Sequence, residues 1–206
     1  YPVEVYPLPI ADFISSSVCF GNATQFTDSS TVPAGSITGW SWDFGDSNTD
    51  TVQNPSHLYA AAGTYNVTLI ATSDIGCSNI VTYPVDVYAM PLANFIFTDV
   101  CLNQTTVFTD ISIITIGSIT QWDWDFGDGV CTSTLQDPTY VFSTPGTFIV
   151  TLDVTSDNGC ASMVGYPVVV YPLPIADFTT ANVCLYDSAV FTNTSTVSSG
   201  SVTSWQ

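Results

Sequence analysis

The chain has no lysine and no arginine in 206 residues, against 18 aspartates and glutamates and a single histidine, for a formal charge of −18. Nucleic acid is held by cations set against its phosphates, so neither duplex nor single strand is a partner for this segment. Docking of a basic patch on anionic lipid is excluded on the same ground. The loss of ordinary salt bridges costs little, since exposed pairs contribute about 0–1 kcal/mol each. The gain is immunity to proteases that cut after basic residues. Halophilic acidity competes as an explanation, but only 9% of the residues are charged, against roughly 25% in ordinary chains.

Long apolar runs are also missing. None approaches the ~18 residues of a membrane-spanning helix, which predicts no direct membrane insertion in this segment. No basic stretch followed by an apolar one opens the chain, so no signal peptide is expected in it. No stripe of apolar residues recurs at a helical spacing. Yet 46% of the residues are hydrophobic and the mean hydropathy is +0.32, which is too apolar for disorder and sufficient for one to three domains with real cores.

What is present is repetition. The stretch YPLPIADF at Tyr6–Phe13 returns as YAMPLANF at Tyr88–Phe95 and as YPLPIADF at Tyr171–Phe178, at intervals of 82 and 83 residues. Cys19, Cys101 and Cys184 keep that register, as do Trp40, Trp122 and Trp205, and Cys77 and Cys160. The expected organisation is the closing strand of a preceding repeat at 1–5, complete repeats at 6–88 and 89–171, and the start of a truncated third at 172–206. A longer native protein is expected on this pattern. No Gly/Ser linker separates the repeats, and the prolines at the junctions favour extended, semi-rigid chain, so a rod of stacked domains is expected.

Within a repeat the period is two. Tyr65, Val67, Leu69 and Ala71 alternate with mostly polar residues, and Phe148, Val150, Leu152 and Val154 do the same. Trp40, Trp42 and Phe44 share one strand face, as do Trp122, Trp124 and Phe126. Short alternating strands bounded by Gly, Pro, Asn and Asp predict an all-β fold, an antiparallel β-sandwich in each repeat.

Five of the six cysteines follow the same register. One pair falls in each complete repeat, predicting disulfides Cys19–Cys77 and Cys101–Cys160, with Cys184 pairing beyond Gln206. Such bonds imply an oxidising compartment. The close CxxC-like pairs of a zinc site do not occur. Cys131 is the odd cysteine and stands where the first repeat has Thr49, as a neutral substitution or an intermolecular crosslink.

The motif WDFGD at Trp42–Asp46 and Trp124–Asp128 is followed by NPSHLYAAAGTYNVTL (Asn54–Leu69) and DPTYVFSTPGTFIVTL (Asp137–Leu152). This resembles the PKD domain, an immunoglobulin-like β-sandwich marked by a WDFGDG turn and a later Pro-x-x-x-Tyr, Gly-x-Tyr-x-Val run. The resemblance covers both complete repeats and the start of the third. Ser47 departs from it by replacing the final glycine of the turn, and Phe142 by replacing tyrosine. Tandem PKD arrays of large bacterial surface and secreted proteins are similar, and the resemblance implies a spacer, an adhesive stalk or an accessory domain beside an enzyme, without catalysis of its own.

The remaining candidates are chemical. Asp43-Phe44-Gly45 and Asp125-Phe126-Gly127 spell the metal-binding triplet of kinases, but a kinase also needs a lysine on the phosphates. An EF-hand loop starting at Asp123 has Gly127 at its fifth position and Thr134 at its twelfth, where a bidentate glutamate belongs. Two readings of the acidic turn stand side by side. In one, Asp43 and Asp125 accept backbone N–H bonds that hold the turn. In the other, Asp43, Asp46, Asp123, Asp125 and Asp128 bind calcium, the natural counter-ion of so acidic a chain. Glycoside hydrolysis by paired carboxylates lacks a pocket-forming insertion. His57 stands where Tyr140 stands in the next repeat, which argues for a structural role. Asn22, Asn66, Asn103 and Asn193 head sequons for N-glycosylation.

The expected role is a non-enzymatic, extracellular, secreted or cell-surface structural segment, a stalk, adhesin or filament subunit. Its partners would be other copies of itself or other surface proteins. The competing class is an accessory substrate-binding module of a secreted hydrolase, for which an exposed planar row of aromatics is the discriminating feature.

Overall fold

The computed structural model describes residues 4–204. The expected closing strand at 1–5 lies mostly outside the described residues, as does Trp205; Glu4 and Val5 are irregular. The first repeat supplies β1 (Phe13–Ser15), β2 (Val18–Cys19), β3 (Thr24–Asp28), β4 (Ile37–Asp43), β5 (Thr49–Asp50), β6 (Ser56–His57), β7 (Gly63–Ser73) and β8 (Ser78–Tyr88). They form two sheets, ordered β1-β3-β6 and β2-β8-β7-β4-β5. Neighbouring strands are antiparallel except β2, which runs parallel to β8 with Cys19 opposite Tyr88.

The long hairpin β7–β8 carries the period-two pattern into space. Val67, Leu69 and Ala71 are wholly buried, and the residues between them are partly exposed. Pro84 sits inside β8 opposite Asn66. It is tolerated there because β2 pairs with β8 only at Val87 and Tyr88, which leaves the other edge of β8 free of ladder bonds at the proline. Phe13 and Phe26 come from one sheet and meet Trp42, Val67, Leu69, Val85 and Val87 of the other, with Phe44, just past the end of β4, and Tyr59 closing the layer. Rings dominate the contact: Phe13 packs edge-on to Trp42 at 5.1 Å, and Phe26 lies 5.5 Å from the same indole. Burial of side chains this size contributes about 1.5–3 kcal/mol each.

The second repeat runs β9 (Phe95–Ile96), β10 (Val100–Cys101), β11 (Thr106–Val107), β12 (Thr109–Asp110), β13 (Ile119–Asp125), β14 (Thr132–Ser133), β15 (Thr139–Tyr140), β16 (Gly146–Ser156) and β17 (Ala161–Tyr171). Its large sheet, β10-β17-β16-β13-β14, has the order of the first. The facing layer is broken into the pairs β9-β12 and β11-β15, on either side of the fully buried Phe108. In the third repeat, β18 (Phe178–Thr180) pairs with β19 (Phe191–Asn193). Phe178 and Phe191 are 60% and 65% exposed, whereas Phe13 and Phe26, which they match, are 4% and 2% exposed. The strands that cover this layer in the complete repeats come later in the repeat.

By contacts the chain divides into two units. One runs to Pro91 and takes in Ile114–Ser118 and Ser156–Cys160; the other comprises Leu92–Ile113, Ile119–Thr155 and the chain from Ala161 onward. There is no helix among the described residues, and so none long and apolar enough to cross a membrane.

The turn after β4 is where backbone conformation is most demanding. Gly45 has φ +79°, and a Cβ there would sit 2.7 Å from the carbonyl oxygen of Asn66 on β7. Ser47 adopts φ +75°, a left-handed conformation that its counterpart Gly129 reaches at +73°. A side chain in this region costs about 1–2 kcal/mol, partly offset by glycine's greater freedom when unfolded. Ser47→Gly is therefore expected to stabilise the first repeat by about 0.5–1 kcal/mol, and Gly45→Ala to destabilise it by about 3 kcal/mol. Thermal denaturation of the two variants checks both signs.

Candidate functional site: the acidic turns and the cysteines

The acidic motif begins on a strand whose alternate residues point into the core. Trp42 and Trp124 are buried, and their indole N–H groups donate to the carbonyls of Val52 at 2.9 Å and Leu135 at 3.0 Å. Two residues earlier, the half-buried Trp40 and Trp122 donate to the carboxylates of Asp28 and Asp110, each at 2.7 Å. Asp28 also accepts from the backbone N–H of Ser30 at 3.0 Å and from Gln53 at 3.2 Å. Partial burial pulls its carboxyl upward, but the bonds from Ser30, Trp40 and Gln53 outweigh this and hold it below the usual range.

On the opposite strand face, Asp43 and Asp125 are exposed. Each carboxylate folds back on its own turn, accepting from Gly45 N–H at 2.9 Å and from Gly127 N–H at 2.8 Å. Asp46 accepts from the backbone N–H of Asn48 at 3.1 Å and from its side chain at 3.0 Å, and meets Nε2 of His57 at 2.7 Å. Partial burial raises its carboxyl, and the bonds from His57 and Asn48 bring it below the ordinary value. Asp128 accepts from Val130 N–H at 3.1 Å, from Cys131 N–H at 3.2 Å and from the hydroxyl of Tyr140. The tyrosine bond is the main cause of its lowered pKa, and the same bond pushes the Tyr140 phenol up.

His57 and Tyr140 thus do the same work. The imidazole stacks on Phe44 at 4.2 Å and the phenol on Phe126 at 4.1 Å, both rings within 3° of parallel. Each then reaches an aspartate of the turn. Asp123 is exposed and stands apart from these bonds. The calcium set expected from the sequence is not assembled: no three His, Cys, Asp or Glu side chains converge to hold a metal ion among the described residues. Each carboxylate of the turns instead closes a loop of its own.

The expected disulfides are corrected by the fold. Cys19 is bonded to Cys160, with Cα atoms 5.7 Å apart and a sequence separation of 141. Neither Cys19–Cys77 nor Cys101–Cys160 forms. Cys19 lies beside Tyr88 at the far end of β8, while Cys77 sits in the turn before Ser78 at its start. Eleven residues of strand at ~3.3 Å each hold the two about 36 Å apart, where a disulfide needs Cα atoms within ~7 Å. Cys101, beside Tyr171, is separated from Cys160 by β17 in the same way. Cys77, Cys101, Cys131 and Cys184 are free thiols. Closing so long a loop contributes about 5 kcal/mol in the chain-entropy account.

All four sequon asparagines are exposed: Asn22, Asn66, Asn103 and Asn193. The residues that sequence reasoning missed are Asp28 and Asp110, which bind the outer tryptophans. A signal existed, for Phe-Thr-Asp/Asn-x-Ser recurs at Phe26, Phe108 and Phe191. Its polar third residue accepts from the residue two further on in all three repeats.

Two sandwiches with matching large sheets, each closed by a tryptophan-aspartate turn, define an immunoglobulin-like β-sandwich module in tandem. The chain belongs to the PKD-domain family, which matches residues 7–87 and again 88–168. Collagenase ColQ1 of Bacillus cereus (strain Q1) is 44% identical over 50 residues, which is 24% of this chain and 5% of that protein. The PKD1 domain of Vibrio anguillarum Epp is 29% identical and covers 39% of this chain and 93% of its own, at a TM-score of 0.37. The PKD1 domain of the Vibrio cholerae metalloprotease PrtV is 28% identical, covering 40% of this chain and 98% of its own, at a TM-score of 0.34.

Two outcomes follow. Asp28, Asp46 and Asp128 have pKa values lowered by folding, so the stability they confer is complete above the unfolded carboxylate pKa of about 4 and is lost as pH falls through the folded values. Acid titration followed by tryptophan fluorescence should show the loss in that window, and Asp28→Asn should flatten it. Addition of EDTA should leave the melting midpoint unchanged, and a fall of several degrees would place a cation among the carboxylates.

Proposed function

We propose that this chain is a non-catalytic structural segment of an extracellular or cell-surface protein, a stalk, adhesin or filament subunit that spans distance and makes subunit–subunit or cell-surface contacts. The observation that carries the reading is the Cys19–Cys160 bond, which ties a cysteine of one PKD repeat to a cysteine of the next. A covalent tie between modules resists separation and requires an oxidising compartment to form. The absence of lysine and arginine supports durability against proteases. Self-association through sheet edges is the contact this reading favours, since β5 and β14 end the large sheets with two-residue strands that leave neighbouring backbone unpaired.

A second reading is favoured by the likeness to ColQ1, a collagenase: an accessory module of a secreted hydrolase that grips its polymeric substrate. Such a grip uses exposed aromatic rows. Trp42 and Trp124 are buried, and the N–H groups of Trp40 and Trp122 are committed to aspartates, which weighs against it. Electron microscopy of the native material separates the two. Regular filaments or surface stalks are expected; dispersed particles, each carrying a catalytic domain, would overturn the structural role.

A further inference from the structure

The Cys19–Cys160 bond joins two positions that the repeat reproduces elsewhere in the chain. Cys19 and Cys101 are set in the same backbone frame. Each is the last residue of a two-residue strand parallel to the closing strand, opposite Tyr88 and Tyr171 respectively. The next residue donates to that tyrosine's carbonyl at 2.8 Å in both, Phe20 to Tyr88 and Leu102 to Tyr171. The following turn returns to the cysteine's own carbonyl, from Asn22 at 3.1 Å, from Gln104 at 3.0 Å and, in the third repeat, from Asp187 to Cys184 at 3.0 Å.

Cys160 and Cys77 likewise share one frame. Their carbonyls accept from Ser156 and Ser73, both at 2.8 Å, and their N–H groups meet the hydroxyls of the same serines at 3.1 and 3.2 Å. The glycines before them, Gly159 and Gly76, turn the chain at φ +77° and +84°. What differs is the environment of the sulfur. Cys160, which is bonded, is 1% exposed, while Cys77 and Cys101 are half-buried free thiols.

We propose that Cys19–Cys160 is one rung of a repeating disulfide ladder, in which the first cysteine of each PKD repeat is oxidised against the hairpin-turn cysteine of the repeat that follows it. In that ladder Cys101 pairs with the hairpin-turn cysteine of the repeat that starts at Pro172. Cys77 pairs with the first cysteine of a repeat preceding Tyr6. Cys184 takes the same role one repeat further on, and Cys131, outside the register, takes none. The partner is in each case another PKD repeat with a Gly-Cys hairpin turn or a strand cysteine of this kind. Each rung forms by thiol–disulfide exchange. Two protein thiols become one disulfide, and an external disulfide takes up the two electrons and two protons and leaves as two thiols. The ladder rests on the extracellular reading for that oxidant.

The test is a disulfide map of the native full-length protein. Free thiols are alkylated under denaturing conditions without reductant, and the protein is digested with pepsin, because trypsin finds no site in this segment. Linked peptides are then identified by mass spectrometry before and after reduction. The expected result is Cys19 linked to Cys160, Cys101 linked to a Gly-Cys peptide of another repeat, Cys77 linked to a first-cysteine peptide, and Cys131 alkylated. Cys101→Ser should release one alkylatable thiol in the following repeat and leave Cys19–Cys160 intact. Alkylated Cys77 and Cys101 beside an intact Cys19–Cys160 bond would overturn the ladder while leaving the extracellular reading in place, as would a bond between either of them and a cysteine outside the register. Full alkylation of Cys19 and Cys160 would overturn the ladder and the oxidising location together.

Discussion

The burial of one indole in each complete repeat sets the terms for everything around it. Trp42 and Trp124 have no route to solvent, so their N–H groups are satisfied on the carbonyls of Val52 and Leu135. That single bond fixes the loop after the turn, and the loop in turn places Gln53 and Gln136 where they reach Asp28 and Asp110. A strand with a tryptophan locked inward at one position has no freedom of register, since a slip by one residue would carry Asp43 or Asp125 into the core. The sharp turn after Phe44 and Phe126 lets the chain leave the core without dragging a carboxylate with it.

Comparing the two complete repeats separates geometry from chemistry. His57 becomes Tyr140 and still stacks on a phenylalanine and bonds an aspartate of the turn. Asp12 becomes Asn94, and the tyrosine of the closing strand still donates to it, from Tyr83 or Tyr166, at 3.0 Å in each case. A charge or an imidazole can be exchanged while the hydrogen bond is kept. Reactive centres do not tolerate such exchange, because proton transfer depends on the identity and pKa of the group. The polar residues of these turns are fastened parts of the scaffold.

Much of this was legible in the sequence because period-two patterning and recurring motifs carry information about faces. Val67, Leu69 and Val150 fell where alternation placed them, and Trp42 and Trp124 were inward as expected. The cysteine partners were not legible. Spacing along the chain gives no hint of which end of a long hairpin a residue occupies. The two-residue strand Val18–Cys19 is also too short to show any period, let alone its parallel pairing with β8. The choice between the two readings of the carboxylates was not legible for a related reason. Their nearness in sequence is real, but Asp43 and Asp46 point to separate backbone donors two residues ahead of each. The role of Asp28 is not legible because its indole partner lies on a different strand, in a different sheet.

The bond between Cys19 and Cys160 also reroutes mechanical load. Under tension an unbridged β-sandwich that yields releases all of its contour length. Here a pull applied outside the bridged loop passes through the sulfur–sulfur link and bypasses the chain between two cysteines 141 positions apart. At ~3.4 Å per extended residue, roughly 480 Å of chain is withheld from extension. The long hairpin β7–β8 and the acidic turns of both repeats lie inside that withheld loop, sheltered from the force by a single covalent shunt.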